Sequence, residues 1–255
     1  MINSLLFHWH ALRITVQQLL KGRFLVYFLP GLILTIAFVL FQLYLEKLQF
    51  RYLMKSEISW LDWMYSWVNA GTSTVFTIVE AIFVQLFIFT VLTLFSPFNT
   101  HLSERLDTQL TGQKFDHSWI RFFNDFIRML FVVLLALIAE LAFLFAYWSF
   151  SWIFNSALLD TVVYFTFAAF FFGFSFYDFS LERYGKGIFD TFNFSFSNPI
   201  KTILTGSLFL LIYKIPYIGI PLAPILAVMI STIVYLYDAG KLPAIPTDTN
   251  TFDHE

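Results

Sequence analysis

The sequence predicts an all-α integral membrane protein, and three observations carry that expectation. Hydrophobic residues make up 58% of the 255 positions and charged residues only 13%, a balance outside that of soluble domains. Mean hydropathy is positive, at +0.73. The apolar residues also gather in runs of about 20, enough for a helix to cross the roughly 30 Å hydrocarbon core, with polar turn residues between them. The formal charge of -2 implies no basic surface and hence no nucleic-acid partner. With no cysteine in the chain, disulfides and thiolate metal sites are excluded.

Residues 1–23 begin with Ile2, Leu5, Leu6, Trp9, Leu12, Val16, Leu19 and Leu20 at helical spacing, with Asn3, Ser4, Gln17, Gln18 and Lys21 largely between them. This pattern predicts an interfacial amphipathic helix. No small-residue cleavage site follows it, so the first membrane segment is expected to be retained. Residues 24–45 form the first predicted spanning helix, with Pro30-Gly31 in its early turns, where neighbouring helices can satisfy a freed carbonyl. Residues 46–69, with Tyr52, Trp60, Trp63, Tyr65 and Trp67, suit the headgroup level.

The second predicted span is 71–96, interrupted by Glu80 and Gln85 and ending at Ser96-Pro97, where Ser96 is expected to cap a new helix with Pro97 at its first position. A polar stretch, 99–128, contains a predicted surface helix capped by Asp116, with Trp119, Ile120, Phe122, Phe123, Phe126 and Ile127 on one side. Two hairpins follow, 129–177 and 203–237, each closing on Tyr-Asp (Tyr177-Asp178 and Tyr237-Asp238). In the second, a short arm from Ile203 to Tyr213 meets Lys214, Pro216, Gly219, Pro221 and Pro224, the composition of a re-entrant tip shielded by protein or water. The first lacks a proline at its turn. A polar tail, 238–255, ends the chain. The expected architecture is therefore two long spanning helices, two hairpins that are re-entrant or partly penetrating, and amphipathic surface helices, all in one membrane domain.

Basic residues set the expected orientation. Arg13, Lys21 and Arg23 precede the first span, and Arg105, Lys114, Arg121, Arg128, Arg183, Lys186, Lys201 and Lys241 follow the second, against Lys47, Arg51 and Lys55 between them. Both termini are then cytoplasmic.

Pro97-Phe98-Asn99 with Leu102, Glu104 and Leu106 resembles the Pro-Phe-Asn...Leu-x-Glu pattern of the CysZ sulfate permease family (etoposide-induced protein-like membrane family). Lys21-Gly22-Arg23-Phe24 leading to Leu29-Pro30 is similar to that family's Gly/Arg entry to its first membrane helix. Tyr177-Asp178-Phe179 and Ile215-Pro216 through Pro221-Leu222-Ala223-Pro224 are similar to its hairpin close and its proline-rich tip. The resemblance, from about Leu19 to Asp238, implies a homo-oligomeric inner-membrane protein that conducts sulfate or a related oxyanion into the cytoplasm. It departs in a weaker arginine motif and in the missing proline of the first tip.

The expected chemistry is anion recognition, with Gly22, Arg23 and Phe24 as the substrate-binding candidates: N–H groups near a helix start and a guanidinium fork suited to an oxyanion. An arginine at the lipid headgroups is the simpler reading of Arg23. Glu80 and Glu140 sit mid-run, where a charge costs at least ~2.5 kcal/mol; each is a pathway residue or a protonated or hydrogen-bonded carboxyl, with Lys214 as candidate counter-charge. Pro97, Phe98, Asn99 and Glu104 are expected to be structural. His8, His10, His101 and His117 lack metal-ligand spacing, Gly185-Lys186-Gly187 is too short for a phosphate loop, and no catalytic arrangement or cofactor motif appears, so an enzyme is not expected. A non-transporting membrane scaffold or assembly partner is the alternative function.

Overall fold

In the computed structural model the chain is described over residues 2–37, 40, 73–115, 119–151, 153 and 156–243, with side chains placed except at 2, 73–90 and 119–122. The described elements are helices: α1 (Ile2–Leu20), α2 (Leu25–Ala37, opening on a 3-10 turn), α3 (Ser73–Thr111), α4 (Trp119–Ser151), α5 (Ala157–Glu182), α6 (Ile188–Ser197), α7 (Pro199–Tyr213) and α8 (Gly219–Asp238). Three of them, Phe123–Ser151 within α4, α5 and α8, are long and apolar enough to cross a membrane, and the bent pair α1–α2 makes a fourth if counted as one span. The chain is an all-α, multi-pass membrane protein.

α5 is the axis of the bundle, contacting α3, α4, α6, α7 and α8. Every residue from Ala169 to Leu181 on it is buried. Its tightest neighbour is α7, because small residues four apart face each other: a Cβ on Gly173 would lie 2.0 Å from the Thr202 carbonyl oxygen, and one on Gly206 would lie 1.7 Å from that of Ala169. Without side chains between them the two backbones touch, which gives membrane helices the dispersion contact that the hydrophobic effect does not supply there.

α1 is amphipathic, but inverted relative to a soluble helix. Ser4, His8, Ala11, Thr15 and Gln18 are buried against the bundle, whereas Leu5, Trp9, Val16 and Leu20 are exposed. His8 Nε2 is 2.9 Å from Thr205 Oγ1 on α7, and the Gln109 amide of α3 donates to Gln18 Oε1 at 2.7 Å. The polar stripe therefore docks on protein and the apolar stripe is left for lipid. Gly22, at φ +74, ends the helix in the left-handed region, and the chain turns by 96° into α2.

Several expectations change. The first span begins after Phe24, which lies buried in the turn, and residues 41–69 with their aromatic belt fall outside the described part. α3 does not end at Ser96: its 39 residues run on to Thr111 with Pro97 inside, a helix of about 58 Å. Ser96 is therefore no cap and Pro97 no first residue. A proline removes one helical hydrogen bond, and packing on both sides of residue 97 holds the helix through the loss. The surface helix expected before Arg128 is instead the opening of α4, which continues unbroken to Ser151; Asp116, its expected cap, lies outside the described residues.

The hairpins differ. Both arms of the first, α4 and α5, have spanning length. Ser156 caps α5 by accepting from the Leu159 N–H at 3.4 Å, and the Tyr147 hydroxyl donates to Asp160 Oδ1 at 2.6 Å across the turn. In the second, α7 has only 15 residues, whereas α8 has 20 because it begins at Gly219 and carries Pro221 and Pro224 in its opening turns.

Candidate functional site

Three of the four stretches quoted for the resemblance meet at one cleft. Tyr27, Pro30 and Gly31 from α2, Phe95, Phe98 and Asn99 from α3, and Ile220, Pro221, Pro224 and Ile225 from α8 line a small, partly open crevice with room for about one water molecule. α2 and α8 cross in contact here, since a Cβ on Gly31 would lie 2.5 Å from Pro221 Cα. Pro224, inside α8, leaves the Ile220 carbonyl without its usual amide partner, and such interruptions are tolerated in a membrane where they line a cavity or are covered by protein. The Asn99 amide nitrogen is buried and has no hydrogen-bond partner among the described residues.

From the cleft a polar seam runs along α3. Asn99, Ser103 and Asp107 recur every fourth residue, so they share one face and climb about 12 Å of helix. Thr100 and Glu104 lie beside them, and all five are buried. At its far end the seam meets Arg183, the residue after α5, whose side chain is 0% exposed. Arg183 Nη1 donates to Ser103 Oγ at 2.5 Å, and that hydroxyl is 2.6 Å from Thr232 Oγ1 on α8, to which Ser180 Oγ also donates at 3.3 Å.

Asp107 closes the seam. Its Oδ2 accepts from the Tyr184 hydroxyl at 2.5 Å, its Oδ1 from Thr111 Oγ1 at 2.9 Å, and Arg183 Nη2 stands 3.5 Å from Oδ2. The Phe115 and Tyr184 rings lie 5.7 and 6.0 Å from the Arg183 guanidinium carbon. Burial pulls the guanidinium below its ordinary range and the Asp107 charge opposes that pull. Burial first, then the hydrogen bond to Asp107, pushes the Tyr184 phenol up. Tyr184 therefore remains a neutral donor to a charged acceptor.

Two further ion pairs, each with one partner buried, close the hairpins at their bases. Arg128 Nε and Nη2 grip the Asp178 carboxylate at 3.0 and 2.8 Å, and Thr191 adds a third donor at 2.8 Å. Lys201 pairs with Asp238 and with Asn198 Oδ1, the latter at 2.8 Å. The two Tyr-Asp echoes thus each place an aspartate late in the second arm against a cation early in the first. Burying such charges is costly unless they are paired, so the pairing fixes the register of each hairpin.

The sequence candidates fall at separate places. Asn99 and Phe98 line the cleft, Glu104 is buried beside the seam, and Pro97 lies within α3. Gly22 and Arg23 are exposed at the bend, four or five residues before Tyr27. Glu140 is 2% exposed and is not free of partners. Lys214 is exposed at the second tip, as the cap residue of α7. Glu80 lies on α3 where side chains are not described. Sequence reasoning missed Arg183, Asp107, Ser103 and Thr232 as a group; the four-residue spacing of Asn99, Ser103 and Asp107 was the available signal. Among the described residues no cluster of His, Asp or Glu could hold a metal ion.

The fold and this interior define the class: a helical membrane protein with a polar seam inside an apolar bundle. Compared with known proteins, the chain is matched by no family model and by no curated protein.

Proposed function

We propose that the protein is a permease for sulfate or a related small oxyanion, acting in the inner membrane as a homo-oligomer with both termini cytoplasmic and uptake into the cell. The observation that carries this reading is the buried seam from the Asn99 cleft to Arg183. Polar side chains in a bundle whose outer faces are apolar are expensive unless they serve a pathway or one another, and this seam ends on a cation. Asp107 and Glu104 by themselves would repel an anion; Arg183 offsets that charge where it matters. Arg23, exposed four residues before a cleft-lining tyrosine, would attract the anion from solvent, the role the family resemblance implies for it.

Uptake of radioactive sulfate into proteoliposomes, with phosphate, sulfite and chloride as competitors, tests the reading. Saturable uptake, competed by sulfite or phosphate more than by chloride, is the expected result. Flux no greater than in protein-free vesicles for every anion would contradict it and favour the scaffold. Arg23→Ala is expected to lower uptake several-fold at low salt and less at high salt, since an exposed charge acts through a screened field.

A further inference from the structure

Two arginines of this chain present the same chemical edge to their surroundings, and only one edge is filled. On Arg128 the edge formed by Nε and Nη2 holds the Asp178 carboxylate with both nitrogens donating. On Arg183 those same two atoms, Nε and Nη2, are buried and have no hydrogen-bond partner among the described residues. Its Nη1 is engaged by Ser103, and Asp107 Oδ2, 3.5 Å from Nη2, is too distant to be a good hydrogen bond. A guanidinium stays protonated in proteins, and leaving its donors unmade in a buried place is unfavourable. Asp107 leaves the edge unfilled at that distance, while its two oxygens accept from Tyr184 and Thr111.

We propose that the Nε–Nη2 edge of Arg183 is a binding site for one small oxyanion, which presents two oxygens to it as Asp178 does to Arg128. A tetrahedral sulfate or a phosphate offers that pair of oxygens at matching spacing. The Ser103 hydroxyl, itself held by Thr232, fixes the guanidinium at Nη1, and the Phe115 and Tyr184 rings lie near it. Asp107 and Glu104 are the carboxyl groups whose charge reaches the guanidinium, and both weaken the site. The inference rests on the permease reading only in the choice of ion.

Equilibrium binding of radioactive sulfate to the purified full chain in detergent tests it without any transport step. The parent is expected to bind, Arg183→Gln to lose at least tenfold in affinity, and Arg183→Lys, which keeps the charge without the two-pronged edge, to lose an intermediate amount. Asp107→Asn retains an acceptor for Tyr184 and removes the charge; affinity should rise about tenfold, a gain that a purely structural Arg183–Asp107 pair would not give. Competition by phosphatidylglycerol but not phosphatidylcholine assigns the edge to a headgroup phosphate, and its absence assigns it to the free ion; both keep Arg183 as the oxyanion site. Unchanged affinity in a monodisperse Arg183→Gln protein overturns the proposal, as does unchanged or weaker binding in Asp107→Asn. A parent that carries sulfate flux without measurable binding overturns this site and leaves the permease standing; one with neither loses both.

Discussion

Arg128 and Arg183 both lie at the C-terminal end of α5, yet one is a clasp and the other an open edge. Arg128 reaches from α4 to Asp178, which is 2% exposed in its side chain, and Thr191 completes the acceptor shell. Its donors are used, and the pair fixes how α4 lies on α5. Arg183 is more deeply buried than Arg128 and less well satisfied, with Asp107 Oδ2 3.5 Å from its Nη2. A buried charge with every partner supplied by the fold is explained by stability; one with its strongest edge unmade is explained by what it can bind.

The largest effect is expected where the frame common to both arginines is attacked. Gly206→Val would drive side-chain carbon into the Ala169 carbonyl and part α5 from α7; loss of several kcal/mol, and a collapse of the monodisperse peak in size-exclusion chromatography, are expected. Unchanged thermal unfolding would show that the α5–α7 contact is not close. Next comes Asp178→Ala, which leaves the Arg128 edge empty without any ligand to fill it. About 3 kcal/mol of stability should be lost, the lower end for a broken buried pair because Arg128 is 21% exposed in its side chain. Thermal unfolding midpoints in detergent measure this. At the other arginine, Asp107→Asn keeps one acceptor oxygen and removes a charge that stands 3.5 Å from Nη2, so it should lower the midpoint less than Asp178→Ala; equal losses would erase the difference between the two sites.

A smaller effect is expected from Tyr184→Phe, which removes one donor to Asp107 and should reduce stability by about 1–2 kcal/mol. Its pH dependence has a definite sign. The phenol of Tyr184 is raised above its ordinary value in the folded protein, so its contribution is complete below about pH 10, the unfolded value. It is lost only as pH rises through the higher folded value. The gap between parent and variant should therefore stay constant from pH 7 to 9; a gap that closes within that range would mean the phenol is not held by Asp107.

Much of the fold was legible in the sequence because span length and composition report directly on the bilayer. The hairpins and the Tyr-Asp closures were visible there, whereas the tip expected to be broken from Lys214 to Pro224 is broken only over 214–218, since α8 begins at Gly219 and runs through Pro221 and Pro224. What stayed hidden depends on contacts far apart in sequence. Pro97 reads locally as a helix start, and only tertiary packing carries α3 past it. α1 is read correctly as amphipathic, but its buried stripe is Ser4, His8, Ala11, Thr15 and Gln18, since lipid takes the apolar face. Arg128 and Asp178 are 50 residues apart, with nothing local to join them. Of the candidate site, Asn99 and Glu104 were identified as motif residues and not as members of a seam, and Arg183 was counted only as a loop charge.

Sulfate uptake by Arg183→Gln in proteoliposomes tests the seam most directly. With the variant monodisperse and reconstituted at the parent's density, uptake is expected to fall at least tenfold, below that of Arg23→Ala under the same gradient. Uptake equal to the parent's would contradict the view that the oxyanion passes along α3 to Arg183.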